Sequence, residues 1–267
     1  MELTDFQEQL TEFQTFLANR LDICQNSYIA YQRDITQFND WLQSVNLSET
    51  TSVSQITDCF IVFLRDEKRL KPRTIKRKIV TLKSFMRFYC EKHHELTNPF
   101  LDHPLRLVKS KEIPRILSQQ EVISLLSAAK SQLCHTTPYH FIFATRDLAI
   151  LDLLLCTGIR IGELSNITMS DFDLKTGILQ ILGKGHKERL IYISSQDVLT
   201  EIKHWITQRE KLIPQTQHLF LNKYGEKLSI YAIENIFYKY RNLAQINSNS
   251  TPHYLRHTFA SVDTFAS

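Results

Sequence analysis

From Phe6 to Tyr89 the apolar residues return every three or four positions, in four successive runs. That period belongs to the α-helix, because a strand repeats its faces every two residues. Phe6, Leu10, Phe13 and Leu17 define the first run. Tyr28, Tyr31, Ile35, Phe38, Trp41 and Leu42 define the second, with Ser27 as its expected N-cap. Cys59, Phe60, Phe63 and Leu64 mark a shorter third helix. The fourth opens near Pro72, whose missing N–H costs nothing in a first helical turn. Ile75, Ile79, Leu82, Met86 and Tyr89 form its apolar stripe, leaving basic residues for the other faces. Four amphipathic helices with short connections predict a compact bundle.

A chain of 267 residues exceeds the usual single core, so two domains are expected. We place them at 1–100 and 114–267, joined by a linker over 101–113. Pro99, Pro104 and Pro114 break the helical pattern there, and Arg106, Lys109 and Lys111 give the stretch a basic character. It reads as an extended connection in contact with DNA, and equally as a solvated tether. Past it, Ser118 and Glu121 form a capping box that opens a helix from Gln119 to Ala129. An almost wholly apolar helix is expected from about Thr145 to Leu155, stopped by Gly158, with a short helix through Glu163 and Leu164 after it. Only then does the period change to two, at Ile178, Gln180 and Leu182 and again at Leu190 and Tyr192. With Gly183-Lys184-Gly185 between them, these runs predict a hairpin. Helices return over Asp197 to Leu212 and Ser229 to Leu243, and a last one starts at Thr251-Pro252.

Charge narrows the function classes. The net charge of +4 is modest, yet nine basic residues and no acidic one lie between Lys68 and Cys90. Such clustering is the footprint of a surface for phosphate backbones, with Lys71, Arg73, Lys76, Arg77, Lys83 and Arg87 as candidate DNA-binding residues. No apolar run reaches the length of a membrane span, and the acidic, amphipathic start is no signal peptide, so a cytoplasmic address is expected. Five cysteines without a Cys-x-x-Cys pair support neither a disulfide framework nor a zinc site. Cys24, Cys59 and Cys90 are expected in the core.

Three separated segments carry chemistry: Cys156-Thr157-Gly158-Ile159-Arg160-Ile161-Gly162-Glu163-Leu164, Gly183-Lys184-Gly185-His186-Lys187-Glu188-Arg189, and His253-Tyr254-Leu255-Arg256-His257-Thr258-Phe259-Ala260. Two arginines fix a phosphate by its non-bridging oxygens, and a nearby Lys or His can protonate a leaving oxygen. His253 and Arg256 share a helical face at i, i+3. His253 and His257 have a spacing known from metal sites, but no third ligand accompanies them, so neither metal nor cofactor is assigned.

Taken in order, these segments resemble the tyrosine recombinases, also called phage integrases, and their Xer-like members in particular. The likeness spans nearly the whole chain. Thr157-Gly158-x-Arg160-x-x-Glu163-Leu164 and the Asp171-Phe172-Asp173 that follows resemble the family's first arginine box. Gly183-Lys184-Gly185-x-Lys187-x-Arg189 is similar to its lysine hairpin, and the segment from His253 to Ala260 to its second box. Ser27-Tyr28-x-x-Tyr31-x-Arg33-Asp34 and Arg73-Thr74-Ile75-x-Arg77 resemble its core-binding domain. The resemblance implies a mainly α fold: an N-terminal four-helix core-binding bundle, then a mixed α/β catalytic domain with a small antiparallel sheet. Duplex DNA with a specific recombination site is the implied partner, clamped between the two domains. Complete relatives assemble as recombinase tetramers on DNA, without a membrane partner.

By the same resemblance, Arg160 and Arg256 grip the scissile phosphate, Lys184 protonates the leaving 5′ oxygen, His253 assists, and Glu163 buttresses Arg160. One element departs from the family pattern. No tyrosine follows Tyr254, where the family carries its nucleophile, so the chain is expected to be C-terminally truncated and inactive in cleavage. Two other readings stay open: a non-cutting DNA-binding regulator or competitor at recombination sites, and a type IB topoisomerase-like strand transferase.

Overall fold

The computed structural model describes residues 3–19, 25–45, 53–92, 116–134, 137–183 and 188–262. The linker read at 101–113, with Lys109 and Lys111, lies outside the described residues, as does Lys184. The chain divides into two compact units, Met1–Lys111 and Glu112–Ser267, each with a buried apolar cluster of its own.

The first unit holds helices α1 (Leu3–Ala18), α2 (Gln25–Ser44), α3 (Val53–Val62) and α4 (Pro72–Lys92), with α3 running on into a π-helical turn, Phe63–Glu67. The periodic residues meet as expected: Leu10, Phe13 and Leu17 of α1, Ile35, Phe38 and Leu42 of α2, and the whole stripe of α4 are buried. Aromatic edges lock the layers, Phe13 against Phe85 at 5.5 Å and Phe38 against Phe60 at 4.9 Å between ring centres. Three local expectations need correction. Helix α2 starts at Gln25, so Ser27 lies inside its first turn and does not cap it. Cys59 is exposed, because it falls beyond the edge of the stripe made by Ile56, Thr57 and Phe60, while Cys90 is half-buried. Finally, not every basic residue of α4 faces outward. Lys78 is buried, and its Nζ donates to Asp34 Oδ1 at 2.8 Å.

In the second unit Ser118 and Glu121 form the expected capping box, with Ser118 N–H donating to Glu121 Oε2 at 2.8 Å and Glu121 N–H to Ser118 Oγ at 3.2 Å. That box opens α5 (Gln119–Cys134), which outlasts its expected end at Ala129. The central helix, α6 (Pro138–Thr157), begins seven residues before the expected Thr145. Thr137 caps it and Pro138 occupies its first turn, a start signal hidden by the exposed aromatics Tyr139 and Phe141 that follow. From Ala144 to Leu154 nearly every side chain of α6 is buried, which is why its sequence shows no polar face.

After α7 (Ile161–Asn166) comes a three-stranded antiparallel sheet, ordered β1 (Phe172–Asp173), β2 (Ile178–Leu182) and β3 (Glu188–Tyr192). The hairpin forms where the period of two placed it, and the residues between those period-two positions supply its inner face. Leu179 and Ile181 enter the core, whereas Ile178, Leu182, Leu190 and Tyr192 are exposed. Alternation alone cannot say which set is inside when both contain large apolar residues. Helices α8 (Gln196–Arg209) and α9 (Ile230–Leu243) follow, each capped by a serine hydroxyl: Ser195 accepts from Val198 N–H and Ser229 from Ala232 N–H. The last described helix is α10 (His253–Val262).

Candidate active site

Gly158 sets the site's floor. It ends α6 in the left-handed region (φ 57°), with its N–H donating to Leu154 O at 3.0 Å. Phe259 of α10 lies directly above, so close that a β-carbon on residue 158 would sit 2.4 Å from the ring's Cδ1. Glycine is therefore required by conformation and by contact alike. From α10 the Arg256 Nη1 donates to the Gly158 carbonyl at 2.5 Å. Thr258 fixes the same helix from another side, accepting from Leu117 N–H at 2.9 Å. These contacts bring the second box of the sequence onto the first.

Two residues beyond Gly158, Arg160 stands extended (φ −77°, ψ 147°) at the entrance to α7. Glu163, one turn later, reaches back and accepts the Arg160 backbone N–H at 2.9 Å and its Nη1 at 2.9 Å. Arg189 closes on the same carboxylate from β3, with Nη2 to Oε2 at 2.7 Å and Nη1 to Oε1 at 3.1 Å. Burial alone would raise the Glu163 pKa, but the bonds from Arg189 and Arg160 outweigh it and hold the group at about 2. Its side chain is only 8% exposed, against 57% for Arg160, so the carboxylate lies beneath and the Arg160 guanidinium faces outward from it. Burial presses the Arg256 pKa below its ordinary value, and the positive charge of Arg160 adds to that. The two guanidiniums thus share one electrostatic neighbourhood and, being arginines, stay protonated. With Arg189, three guanidiniums stand against the one Glu163 carboxylate, a net positive neighbourhood of the kind that attracts anions.

Arg256 thus bonds the carbonyl two residues before Arg160, and Glu163 holds Arg160 by two hydrogen bonds. His253 is exposed, three residues before Arg256 on α10. Lys184 belongs to a segment, 184–187, outside the described residues, and it follows β2 by two positions. The sequence reading passed over Arg189 as a site residue. No local pattern marks it: Arg189 is opposite the buried Ile181, which turns it to the inner face, and only the pairing register shows this.

The basic surface sits on α4 and just before it. Lys71, Arg73, Lys76 and Arg87 are exposed and Lys83 is half-buried. Arg77 has a second engagement, since both its terminal guanidinium nitrogens donate to the buried carboxylate of Asp34, Nη2 at 2.7 Å. Thr81 Oγ1 completes that group at 3.0 Å. Among the described residues no set of three or more His, Cys, Asp or Glu side chains is placed to hold a metal ion, and no helix is long and apolar enough to cross a membrane.

Comparison with known proteins supplies the family. The sequence pattern described as the phage integrase family matches residues 115–262, and that of the phage integrase N-terminal SAM-like domain matches 7–93. The chain belongs to the phage integrase family. Relatives of this integrase chain include a tyrosine recombinase of Agathobacter rectalis, 30% identical over 94% of this chain and 83% of its own length. A tyrosine recombinase XerC of Oceanobacillus iheyensis is 34% identical, over 86% of this chain and 74% of its own. Among solved structures, the XerH site-specific recombinase bound to palindromic difH substrate, a post-cleavage complex, superposes with a TM-score of 0.72 at 18% identity, covering 96% of this chain and 83% of that one. A lambda integrase tetramer bound to a Holliday junction gives 0.70 at 20% identity, over 97% and 70%. At such identities the likeness is one of fold. The integrase fold is mostly helical with one small antiparallel sheet, as the periodicity of the sequence required.

Proposed function

We propose that this chain is a site-specific DNA recombinase subunit that holds one backbone phosphate of duplex DNA between Arg160 and Arg256, on a recombination site shared with further copies. The observation that carries the reading is the exposed Arg160 guanidinium two residues past the Gly158 carbonyl that holds Arg256, backed by a carboxylate already fully occupied by hydrogen bonds. Guanidinium forks match the non-bridging oxygens of a phosphate, and their attraction grows as negative charge builds in the pentavalent transition state. Lys184 protonates the leaving 5′ oxygen, and His253 assists that transfer. Residues 1–100 act as the core-binding domain, presenting Lys71, Arg73, Lys76, Arg77, Lys83 and Arg87 to the DNA backbone. Lys109 and Lys111 add to that surface from the linker, 101–113, and 114–267 form the catalytic domain.

The attacking group is a separate question. No tyrosine follows Tyr254 within these residues. Tyr240 is fully buried and donates its hydroxyl to Asp147 Oδ2 at 3.2 Å. Burial, then the Asp147 charge, push its ionisation upward, and a hydroxyl buried against Asp147 has no access to a DNA phosphate. The Tyr238 ring is held under the Arg241 guanidinium, 4.8 Å from its centre. A polypeptide of these 267 residues alone is expected to bind and polarise the phosphate without forming a phosphotyrosyl bond, the behaviour of a non-cutting competitor. Incubation with a nicked suicide duplex, read by native and by denaturing electrophoresis, tests both parts. Retardation on the native gel and no adduct on the denaturing gel are expected. Arg160→Ala with Arg256→Ala should weaken binding at least about tenfold, since hydrogen bonds to charged groups carry about 1.5–3 kcal/mol each. A protease-sensitive adduct overturns the non-cutting reading, and unchanged affinity in the double variant overturns the phosphate grip.

A further inference from the structure

Arg189 has no part in the chemistry derived above, yet it makes the most complete ion pair at the site. Its fork meets both oxygens of Glu163, at 2.7 and 3.1 Å, and that carboxylate also takes the Arg160 Nη1 and backbone N–H. Each oxygen of Glu163 thus receives one bond from Arg160 and one from Arg189. The consequence lies with Arg160. Arg189 covers one side of the carboxylate and Arg160 engages it through Nη1, its other guanidinium nitrogens meeting no acceptor among the described residues. A carboxylate without Arg189 has room for a second bond from Arg160, and a bidentate pair is the stronger arrangement. Glu163 would then compete with a phosphate for the very group meant to hold it.

We propose that Arg189 is a positioning residue for the phosphate grip: it occupies Glu163 from the β3 side, so that the Arg160 guanidinium stays turned outward. The proposal rests on the reading of Arg160 and Arg256 as that grip. It also explains a coupling in the sequence. Arg189 is the second residue of β3, directly after the segment 184–187 that carries Lys184, and Glu163 is in the first turn of α7, directly after Arg160. One ion pair therefore sets the strand that follows the lysine against the helix that follows the arginine. A one-residue slip of β3 against β2 would turn Arg189 to the opposite face and break the pair. Charge points the same way. Three guanidiniums against one carboxylate leave the cluster positive, and loss of Arg189 removes half of that excess as well as the brake on Glu163.

The test uses the 267-residue chain with inorganic phosphate as the probe. Side-chain NMR follows the Nε–H signals of Arg160 and Arg256 during phosphate titration, and the Glu163 carboxyl carbon during pH titration. In the unsubstituted chain phosphate should shift both arginine signals with one dissociation constant. In Arg189→Gln the Arg160 response should weaken by about fivefold or more, equivalent to about 1 kcal/mol. The Glu163 titration should rise by about 1–3 pH units as an opposing charge is lost. Arg189→Lys keeps the charge but not the fork, so it should fall between the two. A residue that merely packs β3 would lower the melting temperature and leave both spectroscopic readouts alone, and that outcome overturns the proposal. If Arg189→Gln does not fold, Arg189→Lys is judged by the same two readouts against the unsubstituted chain. Absence of any phosphate response at Arg160 and Arg256 before substitution overturns the grip itself, and with it the role given to Arg189.

Discussion

Gly158 and Glu163 show how much of the site depends on single atoms. Replacing Gly158 by Ala forces a left-handed conformation that costs about 1–2 kcal/mol. The added methyl also meets the Phe259 ring at 2.4 Å, so α10 must shift. We expect Gly158→Ala to destabilise the second unit by at least about 2 kcal/mol in chemical denaturation, together with weaker phosphate binding, because Arg256 is anchored to the carbonyl of that residue. An unchanged midpoint would contradict the contact. Glu163 makes a prediction in pH. Its carboxyl is held at about 2 when folded, against 4.5 as an isolated group, so the unfolded chain binds its proton first as pH falls. The resulting stabilisation is complete above about pH 5 and drains away from there toward pH 2. Thermal unfolding of Glu163→Gln should lack that part of the acid dependence.

At the scale of elements, α6 and α4 both bury charge, with opposite outcomes. On α6, burial raises the Asp152 carboxyl to about 6, with Glu201 and Asp197 adding to the rise and Lys130 opposing it. Here the folded chain binds the proton more tightly, so stability falls as pH rises from about 4 through 6. Asp152→Asn should therefore raise the melting temperature at pH 8 and leave it nearly unaltered at pH 4, the neutral-pH gain being on the order of 2 kcal/mol. On α4 the buried Lys78 is matched by Asp34 of α2. Asp34→Ala should cost about 3–5 kcal/mol by stranding a buried ammonium, measured as loss of the first unit's unfolding transition. Arg77 shares that carboxylate, so its substitution mixes folding with DNA contact. Arg73 and Arg87 are exposed and give the cleaner probe. Reversing both charges should weaken duplex binding and lower the slope of log affinity against log salt by about 2. An unchanged slope would remove this face from the DNA interface.

For the molecule as a whole, two separately cored units follow from the length and from the break in helical period between them. Periodicity could show four helices in the first unit because each buries one face only, and the residues that make the stripe are the residues that meet. It could not show the beginning of α6, where Tyr139 and Phe141 stand exposed in the first turns and break the apolar pattern, nor the inner side of the hairpin, where both faces carry large apolar residues.

The sequence by itself determined the element types, the glycine stop after α6, and the identity of Arg160 and Arg256 as groups suited to phosphate. Those properties reside in short stretches of chain, where local sterics and side-chain chemistry decide. Tertiary structure alone decided that Glu163 lies between two arginines, that Arg189 turns inward, and that α10 closes over Gly158. The deciding contacts join residues far apart in the chain, Glu163 of α7 to Arg189 of β3 and Gly158 at the end of α6 to Phe259 of α10. Such pairings exist only once the core has fixed register and packing, and no local pattern encodes them.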